Sequence, residues 1–252
     1  MEISLCVITF NEERNIDRLL QSAYDVVDEI IIVDSFSTDG TSKICQKYPE
    51  IKFICNKFED YATQKNFAVS LATKDYVLVL DADEQLSDLL KKEISKIKKS
   101  ATSDAYSFNR MTNYCGMRWI KHCGWYPDVA IRLIKREKAV FKGAFVHEGV
   151  VLSPEDTIVH LRGDLLHYSY YTVEEHIERV NKYSTLGARK YLARHKTAGF
   201  CKILFSPVWT FFRMYVLRLG FLDGRAGFYV CKITAFETFL KCIKLKELNY
   251  KK

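Results

Sequence analysis

No two cysteines stand in a CxxC pair, although the 252-residue chain carries eight. That removes thiol-redox motifs, and Cys115, His122 and Cys123 find no second cysteine–histidine pair to complete a zinc pattern. Cysteines such as Cys6, Cys55 and Cys231 fall in apolar stretches and are expected to be reduced core residues of a cytosolic protein. No secretory leader is read at the start, where Met1-Glu2 runs straight into a strand-like segment. No uninterrupted apolar run reaches the roughly 18 residues a bilayer requires, so no transmembrane span is expected. Neither GxGxxG nor GxxxxGK occurs, which argues against a dinucleotide dehydrogenase and a P-loop NTPase. Internal repeats and low-complexity stretches are also missing.

What is present is an ordinary globular composition, 48% hydrophobic and 27% charged, sized for one large domain or a domain with an appendage. The net charge of +7 is uneven. From Arg189 onward 14 lysines and arginines face three acids, a net of +11, which leaves −4 for residues 1–188. A basic tail on a near-neutral body calls for an anionic partner, membrane or nucleic acid. Strand-like runs at 3–10, 29–34, 51–55 and 76–80 alternate with helical stretches at 11–24 and 60–72. A turn-rich loop spans 35–41, with Thr41 expected to cap the next helix. Such alternation predicts parallel strands in an α/β fold with helices on both faces. After Ser100 the pattern turns to short aromatic-rich segments at 105–110, 117–120, 129–134 and 139–141, read as mixed, partly antiparallel strands, with a helix from Thr172.

The chemistry concentrates at strand ends. The apolar run 76–80 stops at Asp81-Ala82-Asp83-Glu84, two carboxylates one residue apart at a strand's carboxyl edge. That edge is where open α/β sheets bind ligands. The spacing suits a divalent cation completed by phosphates and water; a helix cap with acidic first-turn neighbours is the other reading. The first strand ends in Thr9-Phe10-Asn11-Glu12 and the second in Asp34-Ser35, so parallel strands bring all three ends to one pocket. A nucleotide fits such a pocket, because a carboxylate accepts a uracil imide N–H while a cation neutralises the diphosphate.

Residues 4–15 (SLCVITFNEERN), 33–41 (VDSFSTDGT), 64–71 (QKNFAVSL) and 80–84 (LDADE) resemble a family 2 glycosyltransferase of the GT-A fold. Later segments, 122–128 (HCGWYPD), 143–148 (GAFVHE), 167–170 (HYSY) and 220–228 (GFLDGRAGF), resemble the branch of β-1,4-glucosyltransferases that build the lipopolysaccharide or lipooligosaccharide core. The resemblance spans nearly the whole chain. It implies a Rossmann-like nucleotide-sugar-binding mixed sheet flanked by helices, with a C-terminal amphipathic helical extension. The domains it implies are a catalytic domain over 1–188, with a nucleotide half at 1–100 and an acceptor half at 101–188, followed by the extension at 189–252. Thr9, Asn11, Glu12 and Ser35 would line the nucleoside pocket, with Asp34 on the uracil. Lys65 would approach the base or diphosphate, and Arg132 the diphosphate or a surface acid. Asp83 would bear directly on Mg²⁺ or Mn²⁺, with Asp81 and Ala82 beside it toward the ribose and the metal waters.

The reaction implied is an inverting transfer of a hexose, glucose from UDP-glucose, onto a lipid-linked core saccharide. A capsule, protein or polyprenyl-phosphate acceptor would use the same chemistry. An acceptor hydroxyl needs a carboxylate base, yet the family's usual Glu-Asp pair and QxxRW are not found. Asp128, beside Trp125 and Tyr126 that can stack on a sugar, is favoured over Glu148, and His147 can complete the metal site or lie behind it. Residues 203–242 are amphipathic, with aromatics among Arg213, Arg218, Lys232 and Lys241, and the glycines at 220, 224 and 227 suggest two short helices. They are expected to lie on an anionic membrane at the cytoplasmic face of the inner membrane, or else to pack on the body. A non-catalytic membrane- or nucleic-acid-binding protein is the reading from another class; the intact carboxylates and the lack of a nucleic-acid module argue against it.

Overall fold

The computed structural model describes residues 1–143 and 149–250. In chain order the elements are β1 (Ile3–Thr9), α1 (Ile16–Ala23), β2 (Glu29–Asp34), α2 (Thr41–Cys45), β3 (Ile51–Cys55), α3 (Tyr61–Ser70), β4 (Tyr76–Asp81), β5 (Glu84–Leu86) and α4 (Asp88–Ile97). There follow β6 (Ala105–Tyr114), β7 (Arg118–Trp119), β8 (Asp128–Lys135), β9 (Phe141–Lys142), β10 (Gly149–Val150), β11 (Ile158–Tyr170), α5 (Val173–Ala193), α6 (Phe200–Phe212) and α7 (Gly224–Tyr250). Two compact units result: residues 1–110 with 128–167, and residues 111–127 with 168–252. The boundary drawn between 188 and 189 falls inside α5.

The first unit is built on a mixed sheet. Its order is β3-β2-β1-β4-β8-β6-β11-β5; β1 to β4 run parallel, while β8 is antiparallel to β4 and β5 to β11. Strands β1 and β4 are apolar on both faces and buried almost throughout, as parallel strands covered on both sides must be. Helix α1 buries Ile16, Leu19, Leu20 and Ala23 on one stripe against one face of the sheet. Helix α3 supplies Ala68 and Val69 to the other face. The Asp60 carboxylate caps α3 by accepting from Thr63 N–H at 2.8 Å.

Helix α1 begins five residues later than expected. Asn11 sits at φ 56°, and the N–H groups of Asn11, Glu12 and Glu13 donate to Ser37 Oγ, Thr41 Oγ1 and Asp39 rather than into a helix. Thr41 is likewise not the cap but the first residue of α2, because its hydroxyl donates to Asp39 at 2.6 Å. The segment expected to open a helix and the 35–41 loop are thus one hydrogen-bonded unit.

The second unit is largely helical. Thr172 caps α5 through Glu175 N–H at 3.1 Å, where the helix was expected to start. The tail has a turn near Gly220, but one of its helices is long: α7 runs 27 residues with Gly227 inside it. A Cβ at Gly227 would lie 2.0 Å from the Gly220 carbonyl oxygen, so this glycine permits a close approach and does not break the helix. The expectation about membrane spans also needs correction. Helix α6 and the π-turn after it form an 18-residue window, Phe200–Leu217, long and apolar enough by composition to cross a bilayer, and only 6% of it is buried. Lys202 and Arg213 break the run in sequence, yet two charges in 18 residues leave the helix apolar on average.

Candidate active site

The ends of β1, β2 and β4 meet at one edge of the first unit, in the register that pairs Thr9 with Asp34 and Ile8 with Asp81. Asp34 is buried there. One of its oxygens accepts from the hydroxyls of Thr9 (2.8 Å) and Ser37 (2.6 Å), the other from Ser37 N–H (2.7 Å). Asp34 therefore organises its loop, and of the roughly four lone pairs on a carboxylate one is left for a further donor. Asn11 Oδ1 accepts from Thr38 N–H at 2.8 Å, which fixes the same loop from the other side. Ser35 Oγ accepts from Gln64 at 3.1 Å.

Three consecutive residues of α3 each hold a different piece of this edge. Gln64 holds Ser35, Lys65 Nζ reaches Asp81 at 2.9 Å while almost wholly buried, and Asn66 exchanges two hydrogen bonds with the backbone of Phe141, at 2.8 and 2.9 Å. Lys65 is an ion-pair partner of the Asp-x-Asp segment, neither a solvated lysine nor one reaching out of the site.

The two aspartates of that segment differ. Asp81 has both oxygens committed, one to Lys65 and the other to Arg132 Nη2 at 2.7 Å. Burial opposes its charge, but Arg132 and Lys65 overcome that and hold the carboxyl well below the usual carboxylate range. Arg132 also donates to Glu84 at 2.6 Å, so its acid partners are internal and not surface residues. Its Nε–H is a buried donor with no partner among the described residues. Glu84 accepts the Asp81 N–H at 2.9 Å from a fully buried position. Burial, with the Asp81 charge behind it, pushes the Glu84 carboxyl up against the pull of Arg132. Asp83, in contrast, turns toward His167, whose Nε2 lies 3.2 Å from its Oδ2. The antiparallel register pairing His167 with Glu84 puts the imidazole there. Ala82 between them is buried. Among the described residues no group of three His, Cys, Asp or Glu gathers as a preformed metal cluster.

Glu12 stands on the same acidic edge. Burial, followed by the charges of Asp83 and Asp39, pushes its carboxyl up despite the hydrogen bond it accepts from Asn15 at 2.7 Å.

Asp128 opens β8 and is paired in register with Arg110 of β6. Arg110 donates to Asp128 Oδ2 from Nε at 2.8 Å and from Nη2 at 2.6 Å, and its Nη1 lies 3.7 Å from Glu84. Charges thus alternate from Asp81 through Arg132, Glu84 and Arg110 to Asp128. The Asp128 side chain is 45% exposed. Trp125 is not the open sugar platform expected beside it. In the second unit its ring stacks on Tyr170 with centroids 5.7 Å apart and meets Tyr114 and His176 edge-on. His147 and Glu148 lie outside the described residues.

Four residues of this site escaped the sequence reading. His167 stood in a noted segment, but its partner is reached only across the sheet. Glu84 was read as part of the acidic run and not as a buried counter-ion. Asn66 stood in the noted 64–71 segment without a role of its own, and Arg110 gave no local signal.

The model of glycosyl transferase family 2 matches residues 4–142. A glycosyltransferase of Rickettsia typhi is 33% identical over 99% of this chain and 88% of its own length. The lipopolysaccharide core biosynthesis glycosyltransferase LpsC of Rhizobium meliloti is 31% identical over 97% of this chain and 92% of its own. Among solved structures, the mannosyltransferase PcManGT of Pyrobaculum calidifontis, in complex with GDP-Man and Mn²⁺, superposes with a TM-score of 0.53 at 15% identity, covering 97% of this chain and 86% of that one. S. aureus TarS 1-349 in complex with UDP gives 0.50 at 16% identity, covering 100% and 92%. The shared fold is GT-A, a mixed sheet flanked by helices. By its strand-end carboxylates, its fold and the extent of these matches, the chain belongs to glycosyltransferase family 2.

Proposed function

We propose that this glycosyltransferase moves a hexose, glucose from UDP-glucose, with inversion onto a lipid-linked saccharide of the lipopolysaccharide core. The observation that carries the reading is the division between Asp81, locked between Lys65 and Arg132, and Asp83, which faces His167. A carboxylate with an imidazole beside it is a donor set that fits Mn²⁺, and Mg²⁺ less readily. Asp83 and His167 would hold the ion directly, with the substrate's phosphates and water completing it. When bound, such an ion neutralises the departing diphosphate. His147 is a further candidate ligand. S. aureus TarS in complex with UDP, PcManGT in complex with GDP-Man and Mn²⁺, and the relative LpsC of lipopolysaccharide core biosynthesis support the nucleotide, the cation and the core acceptor.

The protein's own residues supply the rest. Thr9, Asn11, Glu12, Asp34 and Ser35 form the nucleoside pocket, Asp34 accepting the uracil N–H. Lys65 and Arg132 keep Asp81 ionised and oriented toward the ribose. The acceptor hydroxyl attacks the anomeric carbon as the bond to the β-phosphate oxygen breaks and UDP leaves. The hydroxyl proton passes to Asp128, which Arg110 holds through one oxygen, or to Glu148 in its place.

The exposed apolar face of α6 lies on the cytoplasmic side of the inner membrane, where a lipid-linked acceptor is found. Phe200, Phe205, Val208 and Trp209 of that helix are all more than half exposed. Lys202, Arg213 and Arg218 stand ready for anionic headgroups, each worth about 1 kcal/mol near such a surface.

Release of UDP from a panel of UDP-sugars, with detergent-solubilised core lipid as acceptor, tests the proposal. Acceptor-dependent release from UDP-glucose, abolished by chelator and by Asp83→Asn, is expected. Release from another UDP-sugar alone would overturn the glucose assignment, and release from none the UDP-sugar reading.

A further inference from the structure

A cavity of about 420 Å³ opens in the second unit, lined wholly by residues of that unit. Its polar wall is Lys121, His122 and Arg218, and its apolar wall Tyr126, Leu217 and Leu219. Neither the Lys121 ammonium nor the Arg218 guanidinium makes an ion pair among the described residues, and both are exposed.

The walls are fixed. Asp223, 1% exposed, accepts the N–H groups of Lys121 (3.2 Å) and His122 (2.8 Å), and His122 Nδ1 lies 3.0 Å from its other oxygen. Its charge is thereby committed to donors behind the cavity. The Cys123 N–H reaches across to the Arg218 carbonyl at 3.1 Å and ties the two walls together. Gly124, at φ 77°, leaves the space that the Arg218 side chain occupies, since a Cβ there would stand 2.1 Å from Nη1. Leu219 is held at φ 54°, a left-handed conformation that costs a branched residue free energy and persists only where its surroundings impose it. These contacts explain why the segments around 122–128 and 220–228 carry Asp223 and Gly124.

A pocket with two uncommitted cations on one wall and leucines on the other is chemically amphiphilic. A guanidinium and an ammonium side by side suit a phosphate, which Arg meets through its planar fork. The apolar wall is not isolated, because Leu217 is the last residue of the exposed apolar window that begins at Phe200. We infer that the cavity receives the phosphate of a lipid headgroup, Lys121 and Arg218 engaging its oxygens with His122 beside them while Leu217 and Leu219 contact the first carbons of the lipid. The inference rests on the membrane-facing role of α6 proposed above and adds to it a specific headgroup site.

The test is co-sedimentation of the full chain with vesicles of phosphatidylcholine, alone or containing phosphatidate. Five forms are compared: wild type, Lys121→Ser/Arg218→Ser and Lys121→Arg/Arg218→Lys in the cavity, Arg189→Ser/Arg225→Ser as a charge-matched control, and Phe205→Ser/Trp209→Ser on the apolar face. Melting temperatures verify that each is folded. The wild type is expected to favour phosphatidate vesicles by about tenfold or more, as charge-assisted hydrogen bonds to a phosphate allow. The cavity variant should lose that preference while still binding phosphatidylcholine, and the control should keep it. Lys121→Arg/Arg218→Lys should retain most of it. Equal losses in the cavity variant and the control would overturn the site in favour of diffuse attraction. Saturable wild-type binding of inorganic phosphate, in place of any vesicle preference, would overturn the lipid assignment. If the wild type binds no vesicle and the apolar-face variant behaves identically, the membrane role of α6 fails and the inference with it. If α6 proves necessary but the cavity variant keeps its phosphatidate preference, the inference alone is overturned.

Discussion

Asp81 and Asp83 stand one residue apart and meet opposite surroundings, and the consequences of changing them should differ accordingly. Asp83→Asn is expected to leave the melting temperature near wild type while removing turnover. Asp81→Ala removes the carboxylate that the buried Lys65 and Arg132 share and should lower the melting temperature. Arg132→Ala removes the guanidinium that Asp81 and the buried Glu84 share, at a cost of about 3–5 kcal/mol in a denaturant titration. His176 makes a pH prediction. Burial, with the Arg179 charge adding to it, pushes its imidazole down to about 4. Protons therefore bind the unfolded chain more tightly, and stability falls as pH drops from about 6.5 toward 4. The full difference is worth about 3 kcal/mol. Thermal melts at pH 7.5 and 5 should show this loss in the wild type, and a reduced loss in His176→Phe. An equal loss in both would assign the pH dependence elsewhere.

At the scale of elements, the sequence exposes whatever is periodic and local. The four parallel strands read correctly because each is a short apolar run bounded by polar residues, and the strand-end carboxylates were visible for the same reason. The late start of α1 was hidden, because Asn11–Glu13 look helical by pattern and are diverted by hydrogen bonds to Ser37, Asp39 and Thr41, more than twenty residues away. His167 and Arg110 were hidden because their partners, Asp83 and Asp128, are set by antiparallel register, which no local pattern encodes. Gly227 was misread because a glycine that breaks a helix and one that admits a backbone neighbour look alike in sequence. Gly227→Ala should cost about 3 kcal/mol, since the Gly220 carbonyl cannot retreat without moving the turn. A melting temperature close to wild type would show that the turn yields freely. Asn66→Ala, which releases the Phe141 backbone, should cost about 1–2 kcal/mol in the same assay.

For the molecule as a whole, charge and apolarity are both concentrated toward the end of the chain, where residues from 189 carry a net +11 and α6 leaves its aromatics exposed. Trp209 is more than half exposed, so its emission should shift to the blue when the protein meets anionic vesicles. Trp209→Phe should abolish most of that shift, whereas an unchanged spectrum in the wild type would deny the membrane contact.

Asp83 with His167 is proposed to support a cation under the diphosphate of a uridine nucleotide. Calorimetric titration of UDP into the protein, with and without Mn²⁺, tests it most directly. Binding that requires Mn²⁺, disappears in Asp83→Asn, weakens in His167→Ala and survives in Asp128→Asn is the predicted result. UDP binding of equal strength with and without the cation, or unaffected by Asp83→Asn, would contradict it.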